Sequence, residues 1–359
     1  MEELQNDEPL LDPLQEAIGD LIVGAGITSQ RSLIRRILTT GLGLGQDGTS
    51  RLDLKISAAA LEEMRAAFHL FARFQGVPKV TIFGSARIQS HDPLWIEAEQ
   101  VSQRLADSGW MIVTGAGPGI MEAAATGAGP EQSLGVSIRL PFEQVPEHLL
   151  LNGQRLVSMK YFFTRKLMLV KESRGFVCLP GGFGTMDETF ELLTLQQTGK
   201  MVPVPMVLLD RPGGTFWRGF ERFVTEQLAG TGMIANSDLD RVLITDSVDA
   251  AVREITGFWN NYDSLRWVDE RLVLRLRSEP SDGEIETLNE RFAQLLESGR
   301  IERTEPLPPE QADGDALDFS RIVFVPRQHS VGELHRLIRA LNELPSAAAV
   351  AEEPSLPSV

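Results

Sequence analysis

Short, continuously apolar runs recur through the middle of the chain, each followed by a segment of helical period. KVTIFG (79–84), WMIVTG (110–115), SLGVSI (133–138), GFVCLP (175–180), VPMVLLD (204–210) and RVLITD (241–246) read as strands buried on both faces. Between them the periodicity predicts helices at about 93–108, from near Pro118, near 156–172, at 185–198, near 215–229 and at 247–260. Such alternation predicts an α/β fold: a doubly wound, Rossmann-like parallel sheet over residues 76–260. Upstream, residues 1–75 read as an N-terminal helical extension. Leu14, Ile18, Leu21 and Ile22 are spaced for one helix, Leu33, Ile34, Ile37 and Leu38 for another, and 57–75 for a third that stops before Gly76 and Pro78. The Gly-rich stretch GLGLGQDGTS (41–50) reads as a linker or turn. Residues 265–344 predict a small α+β unit, with a strand RWVDERLVLRLR, a helix at 281–299, a strand near 300–304, a strand RIVFVP and a helix at 331–343. Residues 345–359 read as a disordered tail.

Composition narrows the function classes. Of 359 residues 42% are hydrophobic and 23% charged, which suits a sizeable core. The formal net charge is −16, and residues 261–359, with 11 Arg, no Lys and 19 Asp plus Glu, carry half of that excess. So acidic a surface repels a polyphosphate backbone and argues against nucleic acid as the main partner. A small phosphate held by backbone amides stays compatible with it. No run reaches the roughly 18 apolar residues of a membrane span, and MEELQNDEPL has neither the basic nor the apolar region of a signal peptide. The single cysteine, Cys178, sits in an apolar run and suits a reducing compartment. The expectation is a cytoplasmic protein with no membrane partner.

In open parallel sheets, ligands bind beyond the carboxyl ends of the strands. Three such ends carry glycine-rich turns: Gly84-Ser85-Ala86-Arg87, Thr114-Gly115-Ala116-Gly117-Pro118-Gly119, and Pro180-Gly181-Gly182-Phe183-Gly184-Thr185. Glycines let backbone approach an anion, and the following helix offers free N–H groups and a positive dipole end. None of the three fits the dinucleotide fingerprint or the P-loop. Each alone has a steric explanation; three on one sheet edge point to a site.

Two further features accompany them. Arg165 and Lys166 sit within SMKYFFTRKLMLVKES (158–173), a helix apolar around most of its circumference, so they need anionic partners from protein or ligand. A structural ion pair explains them as readily as a ligand does. Glu188 follows the third turn, and Thr185-Met186-Asp187-Glu188 also fits a capping box, Thr185 at the N-cap and Glu188 three residues on. His69, His91, His148, His329 and His335 show no metal-ligand spacing, so neither metal nor cofactor is expected.

The segments IFGSAR (82–87), VTGAGPGIMEAA (113–124), PFEQ (141–144), YFFTRKLML (161–169) and PGGFGTMDE (180–188) resemble the LOG (Lonely Guy) family. Its members are cytokinin riboside 5′-monophosphate phosphoribohydrolases, often labelled lysine decarboxylases, and the likeness spans about residues 76–260. The 23-position spacing from Arg165 to Glu188 suits the family, and YFFTRK and DETFELLTLQQTGK look closer to its longer bacterial branch. The resemblance implies hydrolysis of the N-glycosidic bond of a nucleoside 5′-monophosphate, with AMP or an N6-modified AMP favoured. It implies Arg165 and Glu188 as catalytic residues. It implies substrate contacts from Gly84, Ser85, Gly115, Gly117, Gly119, Glu143, Lys166, Gly181, Gly182, Gly184 and Thr185. It also implies a homodimer or higher oligomer. Ala116 departs from the pattern, which usually has Gly there. Against this stand a non-catalytic nucleotide sensor or molybdenum-cofactor carrier on the same fold, and a pyridoxal-phosphate decarboxylase with the cofactor on Lys166.

Overall fold

The computed structural model describes residues 13–139, 155–328 and 330–348. The chain forms two compact units, Met1–Glu62 and Glu63–Val359.

The first unit holds α1 (Pro13–Gly24), α2 (Arg31–Gln46) and the start of α3 (Arg51–Ala72). The Gly-rich stretch expected as a break is helical as far as Gln46, and the turn is confined to residues 47–50, where Gly48 takes φ +66°. Leu42 and Leu44 continue the apolar period of α2 through glycines that each cost about 1 kcal/mol in a helix. α3 starts six residues earlier than its apolar period suggests. The Ser50 hydroxyl accepts from Asp53 N at 3.2 Å and donates to the Asp53 carboxylate at 2.8 Å, a reciprocal cap that makes residues 51–56 helical.

In the second unit the larger sheet comprises β1 (Lys79–Phe83), β2 (Met111–Thr114), β3 (Ser133–Ile138), β4 (Leu156–Met159), β5 (Gly175–Cys178), β6 (Met206–Leu209) and β7 (Val242–Thr245). The covering helices are α4 (Pro93–Asp107), α5 (Ile120–Ala128), α6 (Phe162–Lys171), α7 (Phe183–Gln197), α8 (Phe216–Phe223) and α9 (Val248–Gly257), with a π-helical turn at Val224–Ala229. All neighbouring strands are parallel, in the order β4-β3-β2-β1-β5-β6-β7. The doubly wound α/β sheet read from the sequence is therefore present. Its central strands are buried along their whole length, which is why their sequences do not alternate.

One element of this sheet differs from the sequence expectation. Residues 156–159, expected as the start of a helix, are the edge strand β4, and α6 begins only at Phe162. Leu156-Val157-Ser158-Met159 is too short to show a period, and its pairing with β3 decides the outcome (Val136 opposite Val157). A further consequence of the order is that the winding reverses at β1: the chain leaves it toward β2, β3 and β4, then returns to β5 on its other side. Loops after β1, β2 and β5 thus diverge around one crevice.

Beyond Gly257 the chain builds an antiparallel sheet ordered β10-β11-β9-β8, from β8 (Tyr262–Val268), β9 (Arg271–Leu276), β10 (Leu296–Arg303) and β11 (Ser320–Pro326). α10 (Asp282–Arg291), α11 (Pro308–Asp313), α12 (Val331–Asn342) and α13 (Pro345–Ala348) complete it. RWVDERLVLRLR is a hairpin rather than one strand, because Asp269 adopts φ +54° and turns the chain, pairing Val268 with Arg271. The helix expected over 281–299 ends at Arg291, and β10 takes over at Leu296. α13 occupies the beginning of the stretch read as a tail; the rest of that stretch lies outside the described residues.

Glu310 anchors this region from full burial. Its carboxylate accepts from Arg275 at 2.7 Å and Arg321 at 3.3 Å, and Oε2 accepts from Leu307 N at 3.1 Å. These partners outweigh burial and hold its pKa below the usual carboxylate value. Glu310→Gln leaves buried Arg321 without a carboxylate and Arg275 with Asp315 alone, so we expect a loss of about 2 kcal/mol in stability, read as a lower urea midpoint with unchanged slope.

Candidate active site

The crevice at the reversal point is a cavity of about 800 Å³. Its floor is made by the loops after β1, β2 and β5, and Ser85 ties them together. Ser85 N donates to Pro180 O at 3.2 Å, Ser85 O accepts from Ile120 N at 3.0 Å, and Ser85 Oγ accepts from Arg87 N at 3.1 Å. Gly84, Ser85, Gly115, Gly117, Gly181, Gly182, Gly184 and Thr185 all line the cavity, as do Arg165 and Glu188. Three of the glycines are required by close approach; a Cβ on Gly84 would strike the buried Ile120 side chain. A Cβ on Gly115 would strike the Arg165 guanidinium, and one on Gly181 would strike the Thr185 side chain. Gly182 and Gly184 instead face open space.

α7 starts two residues earlier than its sequence suggests. Its N-cap is Gly182, and the first amide bonded into the helix is Met186 N, donating to Gly182 O at 3.0 Å. The amides of Phe183, Gly184 and Thr185 therefore lack helical carbonyls and crown the end of the helix dipole. Thr185 stands at the third helical position, so the capping-box explanation of Thr185 and Glu188 falls away. Glu188 sits a turn deeper, without a capping duty to account for it.

Arg165 rises from the first turn of α6 and is nearly buried. Nε donates to Val136 O at 2.9 Å and Nη2 to Gly115 O at 3.2 Å, fastening the ends of β3 and β2. Its remaining arm, Nη1, lies 4.0 Å from Glu188 Oε1. Burial lowers the Arg165 pKa and the Glu188 charge opposes that, leaving it a cation at any accessible pH. Burial pushes the Glu188 carboxyl up to about 7, with Arg165 pulling the other way. A carboxyl poised near neutrality, beside a fixed cation on a cavity wall, suits acid–base or electrostatic work at an electron-deficient carbon.

Lys166 departs from expectation. It does not line the cavity; its ammonium donates to Asp187 at 2.7 Å and Glu191 at 2.9 Å on α7. The helical step of about 100° from Arg165 explains this, since adjacent residues face different sides. Burial disfavours its charge, yet the two carboxylates outweigh that and raise its pKa. Gly119 also stays outside the cavity lining. At φ +72° it packs against the backbone of Ser85 and Ala86, where a Cβ would collide. Glu143 lies outside the described residues. Sequence reasoning missed the cavity walls Met121, Phe162, Met186 and Phe216. Met121 and Met186 lie within the first turn after a glycine-rich loop, a position that could have identified them. Burial pushes the Cys178 thiol up to about 12, so it is no nucleophile.

Ala116 takes φ +52° on the cavity floor, its N–H donating to Thr114 Oγ1 at 3.1 Å. A left-handed alanine costs about 1 kcal/mol or more. Ala116→Gly should therefore raise the melting temperature by about 2 °C in thermal unfolding, the unfolded chain's added freedom offsetting part of the gain. A lower melting temperature would show that the turn is not strained.

Known proteins show the same likeness. Residues 119–255 match a family model described as "Possible lysine decarboxylase". A Mycobacterium marinum protein named cytokinin riboside 5′-monophosphate phosphoribohydrolase is 28% identical over 172 residues, 47% of this chain and 88% of that protein. One of the same name from Mycobacterium tuberculosis is 28% identical over 168 residues, 46% of this chain and 86% of its own. Among solved structures, the molybdenum cofactor binding protein of Rippkaea orientalis aligns with a TM-score of 0.36 at 22% identity, over 50% of this chain and 95% of its own. That score says nothing about a shared ligand.

Proposed function

From the premise that this chain resembles the LOG family in its motifs, its family-model match and its curated relatives, we propose that it hydrolyses the N-glycosidic bond of a nucleoside 5′-monophosphate, yielding free base and ribose 5-phosphate. The observation that carries this reading is the Arg165–Glu188 pair, 4.0 Å apart, on the wall of a cavity that the start of α7 also lines. The 5′-phosphate docks on the amides of Phe183, Gly184 and Thr185. Arg165, fastened to two strand ends, orients the Glu188 carboxylate. As the bond between C1′ and the base nitrogen lengthens, positive charge builds on the ribose, and the ionised Glu188 stabilises it or draws the proton from the attacking water. The leaving base takes a proton, and water supplies the hydroxyl at C1′.

AMP or an N6-modified AMP is the proposed substrate within this class. A cavity of about 800 Å³ walled by Phe162, Phe216, Met121 and Met186 offers a purine an apolar berth. A panel of AMP, N6-isopentenyl-AMP, GMP, CMP and UMP, assayed for ribose 5-phosphate, tests it. Release from the adenine nucleotides is expected; tight binding of one without release from any would make the protein a carrier or sensor instead. The decarboxylase label of the family model finds no support at Lys166, whose ammonium is held charged by two carboxylates and turned from the cavity. We further propose a cytoplasmic homo-oligomer; exposed Phe162, Phe163 and Leu167 on α6 suit an apolar contact, and light scattering gives the mass.

A further inference from the structure

α6 carries Arg165 but lacks a cap of its own. Its N-cap residue, Tyr161, makes no side-chain cap bond, and the sequence before it offers no Ser, Asp or Asn at that place. A carboxylate from α3, nearly a hundred positions upstream, instead holds the two residues that lead into the helix and the Thr164 hydroxyl in its first turn. Glu63, 5% exposed, accepts from Lys160 N at 2.7 Å through Oε1, and from Thr164 Oγ1 at 2.8 Å and Tyr161 N at 3.4 Å through Oε2. Arg139 Nη2 adds a longer contact to Oε1 at 3.5 Å. A buried carboxylate satisfied by two amides and a hydroxyl at a helix start both answers unpaired donors and complements the helix dipole. Glu63 lies well before residue 119, where the family-model match begins.

We infer that Glu63 is a positioning residue for Arg165: it fixes the entry of α6, and through it the guanidinium that faces Glu188. The inference rests on the function proposed above. The lever is short. Thr164, which donates to Glu63, is adjacent to Arg165, and Arg165 N closes the first helical turn on Tyr161 O at 3.2 Å. Because Nε and Nη2 are committed to Val136 O and Gly115 O, the guanidinium cannot follow a shifted first turn without breaking one of these bonds. A displacement of about 1 Å at a catalytic group can cost on the order of 100-fold in rate. Ground-state binding by the α7 amides, on another element, is left in place.

The test uses the full chain with Glu63→Gln, Glu63→Ala, Thr164→Val and, as a control, Glu62→Gln at the exposed neighbouring position. With AMP as substrate, kcat should fall about 10-fold in Glu63→Gln, which keeps one acceptor oxygen, and about 100-fold in Glu63→Ala. KM should stay within about twofold in both, and Glu62→Gln should match wild type. Thr164→Val and Glu63→Gln combined should cost less than the product of their separate effects, since both break one contact. A rise in KM at constant kcat, or a loss equal to the unfolded fraction, would overturn the inference. A second readout needs no turnover: amide exchange at Lys160 and Tyr161, and exchange of the Arg165 Nε proton, followed by NMR. Both should quicken at least 10-fold in Glu63→Ala. If wild type released no ribose 5-phosphate while these protons responded, the hydrolase reading would fail and the positioning role would stand. Unchanged exchange at all three sites would sink the positioning role whatever the activity.

Discussion

Replacing Glu188 by glutamine should lower kcat for ribose 5-phosphate release by at least about 100-fold while KM for the nucleotide changes little. In the proposed reaction the carboxylate acts on charge that exists only as the glycosidic bond breaks, so its loss would be felt in the transition state rather than in binding. Preorganised groups of this kind contribute on the order of 3 kcal/mol each, which sets the scale. Glutamine keeps the shape and an acceptor oxygen but cannot carry the negative charge. Wild-type kcat should also rise with pH and level off above the Glu188 pKa of about 7, since the ionised form does the work. The variant should lose that limb. Turnover within threefold of wild type would remove Glu188 from the mechanism.

The same substitution should make the protein more stable at pH 8. The folded-state pKa, about 7, lies above the ordinary carboxyl value of 4.5, so the folded chain holds a proton that the unfolded chain has given up. Stability from the neutral carboxyl is thus complete below about pH 4.5 and drains away as pH rises toward 7. The shift corresponds to an order of 3 kcal/mol. Denaturant midpoints of wild type and Glu188→Gln should therefore agree near pH 5 and separate by pH 8, with the variant higher. A buried carboxylate that costs stability at working pH fits the trade-off expected of a functional group.

How far the sequence revealed this site depended on the range of the interactions. The buried strands β1, β2, β3, β5 and β6 were legible because unbroken apolar runs have one comfortable place, the middle of a parallel sheet; β7 carries the same kind of run but lies half-buried at the edge beyond β6. β4 was not, because four residues at an edge take their identity from pairing with β3. The glycine-rich turns were legible as chemistry, since glycine frequency reflects backbone contact, and Gly115 and Gly181 do lie where a Cβ would collide. Lys166 was misplaced because adjacency in sequence was read as shared direction; on a helix its neighbour Arg165 faces the cavity while Lys166 turns to Asp187 and Glu191. The capping box failed because the helix began at Phe183, under the control of Gly182 and the loop tied to Ser85. Glu63 left no mark at all. A carboxylate that fixes the entry to a helix some hundred residues away has no local pattern by which to find it.

Arg165 should prove as indispensable as Glu188, and the way it fails distinguishes its roles. Arg165→Lys keeps a cation but not the fork. A single ammonium cannot reach Val136 O, Gly115 O and the Glu188 side at once, so we expect about a 100-fold loss in kcat despite the conserved charge. Arg165→Met removes the charge too, and with it the attraction that opposes burial at Glu188. The Glu188 carboxyl should then titrate above 7, followed by its carboxyl carbon resonance in glutamate-labelled protein. Its titration in Arg165→Lys should stay closer to wild type. A Glu188 titration identical in all three proteins would mean that the two groups do not sense each other, and the arginine would be reduced to a clamp on two strand ends. Loss of kcat in Arg165→Lys with the carboxyl titrating as in wild type would instead assign its value to geometry: the guanidinium holds the acid in place, and the charge alone does not suffice.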